Sequence, residues 1–218
     1  MELVNESVAL IKDWKLHNPQ GIIHLELAST QDKKVRAAII EKIAPLADSL
    51  GLNEREALDA LEVINPQKYD ELAHEELTAP RLFEIISIIK AKTKAPRIQL
   101  HLFGLYITLQ DKDFRITPEQ NLRGMMLAST VAATKAGTGK IEEHDKLLWA
   151  QGKDVSEISL NNLQDLAEYL QNPELVQTGI CEYEGCKVIA VPTIIIEKPL
   201  TLVGMGDTIS SVSLIGAR

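Results

Sequence analysis

The sequence is poor in aromatics: Phe, Trp and Tyr make up 4% of its 218 residues. Any core must therefore be filled by Leu, Ile, Val and Ala. No window approaches the run of about 18 uncharged apolar residues that a spanning helix needs, so no membrane partner is expected. The N-terminus lacks the basic and apolar regions of a secretory leader, and a cytoplasmic location is the expectation. Basic charge is in deficit, with a formal net charge of −8. That argues against a nucleic-acid surface, because phosphate contacts along a duplex require clustered Lys and Arg. Only two cysteines occur, Cys181 and Cys186. They flank a short turn across which the thiols could face each other, and reduced thiols are the expectation in a cytosol. Without neighbouring histidines they make a poor zinc site.

What is present is an ordinary globular composition, 45% apolar and 25% charged, sufficient for a single domain over 1–218. Apolar spacing predicts amphipathic helices over 2–16, within 29–49 and over 82–92. Residues 21–28 and 97–109 read as strands, the second bent or split at Gly104. Asn53 and Asn65-Pro66 each resemble a helix entry. Thr117-Pro118-Glu119-Gln120 is a capping box that opens a long helix toward Ala136. A further helix is expected over 160–170. The last third changes to short β-branched runs at 176–181, 187–191 and 193–196, followed by a helix starting near Asp207. Helices between strands, closed by a β-hairpin, indicate an α/β fold with a mixed sheet.

The most specific local feature is Gly204-Met205-Gly206-Asp207, between an expected apolar strand, Thr201-Leu202-Val203, and a helical run. Glycines let backbone approach a phosphate closely, and the first-turn N–H groups of a helix attract anions. A carboxylate at the same place can accept a proton from an attacking hydroxyl. A plain turn with Asp207 as N-cap explains the same four residues. Upstream, Asn53-Glu54-Arg55-Glu56 has the spacing of a capping box. His24 and Glu26 share one face of a predicted strand, where polar groups need partners. Gly137-Thr138-Gly139-Lys140 has part of a P-loop's composition, but Thr134 stands where the earlier glycine belongs and Ile141 where Mg²⁺ needs a hydroxyl.

Taken together, His24-Leu25-Glu26, the Asn53…Glu56 pair and the segment 199–211, in this order along the chain, resemble the ADP-dependent glucokinase and phosphofructokinase family of the ribokinase-like superfamily. The resemblance implies a three-layer α/β/α ribokinase-like fold, here the C-terminal part of the large nucleotide-binding domain, with the lid and N-terminal half absent. It implies that Asp207 is the base on a sugar hydroxyl, with Gly204 and Gly206 stabilising the transferred phosphate. Glu26 and Glu56 would serve Mg²⁺. His101 and Tyr106, on a strand resembling the family's nucleotide-lining strand, would sit near the adenosine. Ile196, Val203 and Met205 would complete the nucleotide contacts, Ile196 within the segment resembling the one beside the adenine.

The implied ligands are ADP or AMP and a sugar or sugar phosphate. The implied partners are an N-terminal-half polypeptide or a second copy of the chain. A non-catalytic nucleotide-binding or interaction module derived from such a kinase is the alternative.

Overall fold

The computed structural model describes residues 2–141 and 149–218. It divides into two compact units, Met1–Leu100 and His101–Arg218. In chain order the strands are β1 (His24–Glu26), β2 (Ser49–Asn53), β3 (Arg97–Leu102), β4 (Leu105–Asp111), β5 (Ile180–Tyr183) and β6 (Cys186–Pro192). They are ordered β1-β2-β3-β4-β6-β5, parallel at β1–β2 and antiparallel through β4, β6 and β5.

In the first unit, α1 (Glu2–His17) buries only Ile11 and leaves Leu3, Trp14 and Leu16 exposed. Helix α2 (Lys33–Ala38) is capped by Asp32, whose carboxylate accepts from the Lys34 and Val35 amides. It runs on into a π-helical turn, Ile39–Ile43, and a 3₁₀ turn, Ala44–Leu46. Strand β2 follows, with Leu50 and Leu52 fully buried. Its sequence, Ser-Leu-Gly-Leu-Asn, is too short and too glycine-interrupted to stand out as a strand beforehand. Helices α3 (Glu54–Ile64), α4 (Pro66–Leu72) and α5 (Ala79–Thr93) complete the unit. The Asn53 box closes in both directions, and Asn65 caps α4 with Pro66 in its first turn. Strand β1 is shorter than the expected 21–28.

Strand β3 carries a polar row, Arg97, Gln99 and His101, that is as buried as the apolar row opposite. Buried polar groups require partners. Arg97 Nη1 donates to Ser49 Oγ at 2.8 Å, and Nη2 donates to Gln99 Oε1.

In the second unit, Gly104 turns the chain at φ +88° into β4, as the split strand anticipated. Helix α6 (Pro118–Thr138) begins at the Thr117 box and ends at Gly139 in the left-handed region. Gly137 and Thr138 are thus the last turn of a helix and Gly139 its cap, which agrees with the rejection of a P-loop. Helix α7 (Glu157–Tyr169) starts at an N-cap Ser156, and a short α8 (Glu174–Thr178) follows. The strand expected over 176–181 is therefore half helix, and pairing begins only at Ile180. Residues 193–196 form no ladder, and 201–203 form no strand. Leu202 and Val203 are 66% and 81% exposed, so their apolar character does not mark a buried strand.

The β5–β6 hairpin turns at Glu184-Gly185, both at positive φ. Its register opposes Cys181 to Val188 and Cys186 to Tyr183. The thiols do not face each other across the turn, and both are free.

The last helix, α9 (Met205–Gly216), starts two residues before Asp207 and packs along α6. Two glycines permit the approach. A Cβ on Gly124 would stand 2.1 Å from the Ser213 carbonyl oxygen, and one on Gly216 would stand 3.2 Å from Gly124 Cα. The adjoining core gathers Tyr106, Met125, Ala128, Ala132, Ile189, Val191 and Ile209, with Met205 packed against it.

Candidate active site

Each unit holds part of the expected constellation. In the second, Gly204 is the N-cap of α9 in the left-handed conformation (φ +64°), without a side-chain cap. Glycine adopts this geometry without the steric penalty of a Cβ. Met205, Gly206 and Asp207 then occupy the first three helical positions. Their N–H groups belong to the first turn, which has no intrahelical acceptors, at the positive end of the helix dipole. Asp207 is exposed, in the first turn and not at the cap. Its acidic side chain is favoured there by the same dipole.

Lys135, in the last turn of α6, secures this corner. Its Nζ donates to the Gly204 carbonyl oxygen and to Thr208 Oγ1, both at 2.9 Å. Thr208 Oγ1 itself donates to the Gly204 carbonyl oxygen at 2.8 Å. No sequence pattern singled out Lys135, because the contact spans 69 residues and depends on the α6–α9 packing.

His101 and Tyr106 are both buried, their rings edge-to-face with centroids 5.9 Å apart. His101 Nε2 hydrogen-bonds to Ser210 Oγ of α9 at 2.9 Å, tying β3 to the helix that carries Asp207. Burial raises the Tyr106 hydroxyl well above the ordinary phenol range. Ile196 is half-buried in the segment after β6. A cavity of about 670 Å³ lies beside that strand end, lined by Met126, Ser129, Thr130, Val191, Pro192 and Ile194 among others.

In the first unit, Glu26 and Glu56 line one cavity of about 150 Å³, whose other walls are mainly Leu and Ile side chains. Glu26 Oε2 pairs with His24 Nε2 at 3.0 Å, and His24 Nδ1 with Ser49 Oγ at 2.9 Å. Glu56 Oε2 accepts from the Asn53 amide at 2.9 Å, and the Glu56 amide donates to Asn53 Oδ1 at 3.0 Å. The capping box and a cavity-facing carboxylate are therefore the same residue. Arg36 and Asp59 join this cavity, although sequence reasoning did not select them. Arg36 is 9% exposed and bridges Asp59 at 2.8 Å and Glu62 at 2.7 Å.

Among the described residues no group of three or more His, Cys, Asp or Glu could enclose a metal ion. Glu26 and Glu56 border one cavity, and a pair of carboxylates suits Mg²⁺ differently. That ion keeps several waters and takes few protein ligands, so Glu26 and Glu56 fit a role through its water shell.

A mixed sheet ending in a hairpin, with a left-handed glycine and an aspartate at a helix start, defines a ribokinase-like α/β protein. The fold matches a solved structure, the last common ancestor of ADP-dependent phosphofructokinases from Methanosarcinales. The TM-score is 0.92 at 33% identity, over 99% of this chain and 46% of that one. It also matches an ADP-dependent kinase in complex with fructose-6-phosphate and ADPbetaS, at TM-score 0.91 and 33% identity, over 99% and 48%. The chain belongs to the ADP-specific phosphofructokinase/glucokinase family, whose conserved region matches residues 1–216.

Among curated relatives, the ADP-dependent glucose/glucosamine kinase of Pyrococcus furiosus is 32% identical over 196 residues, 89% of this chain and 41% of that one. The ADP-specific phosphofructokinase of Methanosarcina acetivorans is 29% identical over 218 residues, covering 96% and 44%. The chain thus spans less than half the length of these relatives. No helix among the described residues is long and apolar enough to cross a membrane.

Proposed function

We propose that this chain, as the C-terminal part of a large nucleotide-binding domain spanning 1–218, is the phosphoryl-transfer portion of an ADP-dependent sugar kinase. The acceptor is a sugar or sugar phosphate of the glucose or fructose 6-phosphate type. Asp207 accepts the proton of the acceptor hydroxyl, whose oxygen forms a bond to the β-phosphorus of ADP. The bond from that phosphorus to the bridging oxygen breaks, and AMP leaves with the electron pair. The amides around Gly204 and Gly206 hydrogen-bond the phosphoryl oxygens, where aligned donors count most in a site shielded from water.

Val203 and Met205 flank the nucleotide phosphates. Ile196 borders the adenine, and His101 with Tyr106 backs the adenosine from the core. Glu26 and Glu56 would hold Mg²⁺ through its water shell, and the ion would offset the phosphate charge. An N-terminal-half polypeptide or a second copy of the chain would supply the remaining sugar contacts.

One observation carries this reading: an aspartate in the first turn of a helix that starts at a left-handed glycine, in a member of this family. Titration of the chain with ADP, ATP and AMP in the presence of Mg²⁺ tests it. ADP or AMP is expected to bind more tightly than ATP, and a preference for ATP or no binding at all contradicts it. The exposure of Asp207 favours a second reading, a nucleotide-binding module without catalysis. That module would bind ADP and assemble with itself, yet phosphorylate no sugar.

A further inference from the structure

Lys135 occupies a place that helix electrostatics alone would not favour. A cation next to a helix N-terminus adds positive charge where the dipole is already positive. Yet its ammonium sits at the start of α9, bonded to the Gly204 carbonyl oxygen and to Thr208 Oγ1, each at 2.9 Å. The last turn of α6, to which Lys135 belongs, offsets part of this from the other side. An ammonium has three protons to donate. Among the described residues Lys135 commits two of them, both to the corner itself.

A Cβ on Gly204 would lie 3.3 Å from Lys135 Nζ and 3.9 Å from Asp207 Oδ2. The cation and the carboxylate therefore flank the same point of backbone, the point where the amides of the first turn begin.

We infer that Lys135 is a phosphate-binding and positioning residue of this site. Two of its protons hold Gly204 in the left-handed geometry that aims the amides. The third meets an oxygen of the terminal phosphate of a nucleoside diphosphate. A charge-assisted hydrogen bond of this kind is stronger than a neutral one, and it distinguishes a terminal phosphate from a bare nucleoside. This inference rests on the reading of the corner as a phosphoryl-transfer site.

The test is calorimetric titration of the full chain with Mg²⁺, using ADP and adenosine as the two probes. Wild type, Lys135→Met, Lys135→Gln and Lys135→Arg are compared, with a thermal melt of each variant. Lys135→Met and Lys135→Gln should weaken ADP by about tenfold or more, with adenosine within about twofold of wild type. Lys135→Arg, which keeps the charge, should recover most of the ADP affinity. The thermal melts separate loss of the corner's shape, which would lower Tm, from loss of its charge, which would not. Unchanged ADP affinity in both neutral variants overturns the inference, as does an equal loss for ADP and adenosine. A wild-type chain that binds ADP no better than adenosine overturns the underlying reading as well.

Discussion

Gly124 of α6 lies so close to α9 that a Cβ there would stand 2.1 Å from the carbonyl oxygen of Ser213. The obstacle is backbone, which cannot rotate out of the way as a side-chain end could. The two helices therefore meet at a separation that only glycine allows, and that separation puts Lys135 within reach of Gly204.

Gly124→Ala is expected to lower stability despite alanine's better helix propensity, worth about 1 kcal/mol. Overpacking against a fixed backbone costs about 1–3 kcal/mol, and the propensity gain offsets only part of it. A fall of a few degrees in Tm should appear in a thermal melt. An unchanged or raised Tm would show that the helices separate freely.

Glu56 has two assignable roles that substitutions can separate. Its carboxylate accepts the Asn53 amide in the capping box and also borders the cavity shared with Glu26. Glu56→Gln keeps an acceptor for the cap and should leave Tm nearly unchanged, while weakening the Mg²⁺ dependence of ADP binding. Glu56→Ala should lose stability as well, by about 1 kcal/mol. If both variants keep the Mg²⁺ dependence, Glu56 is only a cap.

Cys181 is 3% exposed, and burial pushes its thiol up to about 11. Because the thiolate is the nucleophile, iodoacetamide at pH 8 should label Cys186 and spare Cys181 in the folded chain. Both should react in urea. A Cys181–Cys186 disulfide, or equal labelling rates in the folded chain, would contradict the hairpin register.

Glu182 on β5 accepts from Lys187 at 2.6 Å and from Lys112 at 2.9 Å, and these hydrogen bonds hold its carboxyl down at about 2 from an ordinary 4.5. With the folded-state value depressed, its contribution is present above about pH 4.5 and is lost as pH falls toward 2. Acid unfolding of Glu182→Gln should be less steep over that window. Because the group is exposed, added salt should narrow the difference between the two proteins. Identical acid profiles for wild type and variant at low salt would sink the idea.

How much was legible beforehand depended on the range of the signal. Caps written in adjacent residues, at Asn53, Asn65 and Thr117, were readable because their hydrogen bonds span three positions. The β-bend at Gly104 was readable for the same reason. Strand β2 escaped notice because five residues with a central glycine give no alternation to count. The run 201–203 misled in the opposite sense, since its Leu202 and Val203 side chains are exposed and not buried. In the site, residues inside short motifs such as Asp207 and Glu56 could be selected from spacing. Lys135, Arg36 and Asp59 could not, because tertiary packing alone brings them to their places. The polar row of β3 is buried among partners such as Ser49 and Ser210, which are distant in sequence and which no local pattern names.

Turnover with and without the Asp207 carboxylate reports whether that group accepts the acceptor's proton. The chain is co-expressed with the N-terminal half of a family member such as the Methanosarcina acetivorans phosphofructokinase. ADP-dependent formation of AMP is then followed with glucose or fructose 6-phosphate as acceptor, for wild type and for Asp207→Asn. The wild-type pair should form AMP only when an acceptor sugar is present. Asp207→Asn should reduce that rate by about 10²–10⁴-fold, the usual range for loss of a general base, while ADP still binds. An Asp207→Asn pair that turns over as fast as the wild type would contradict the account.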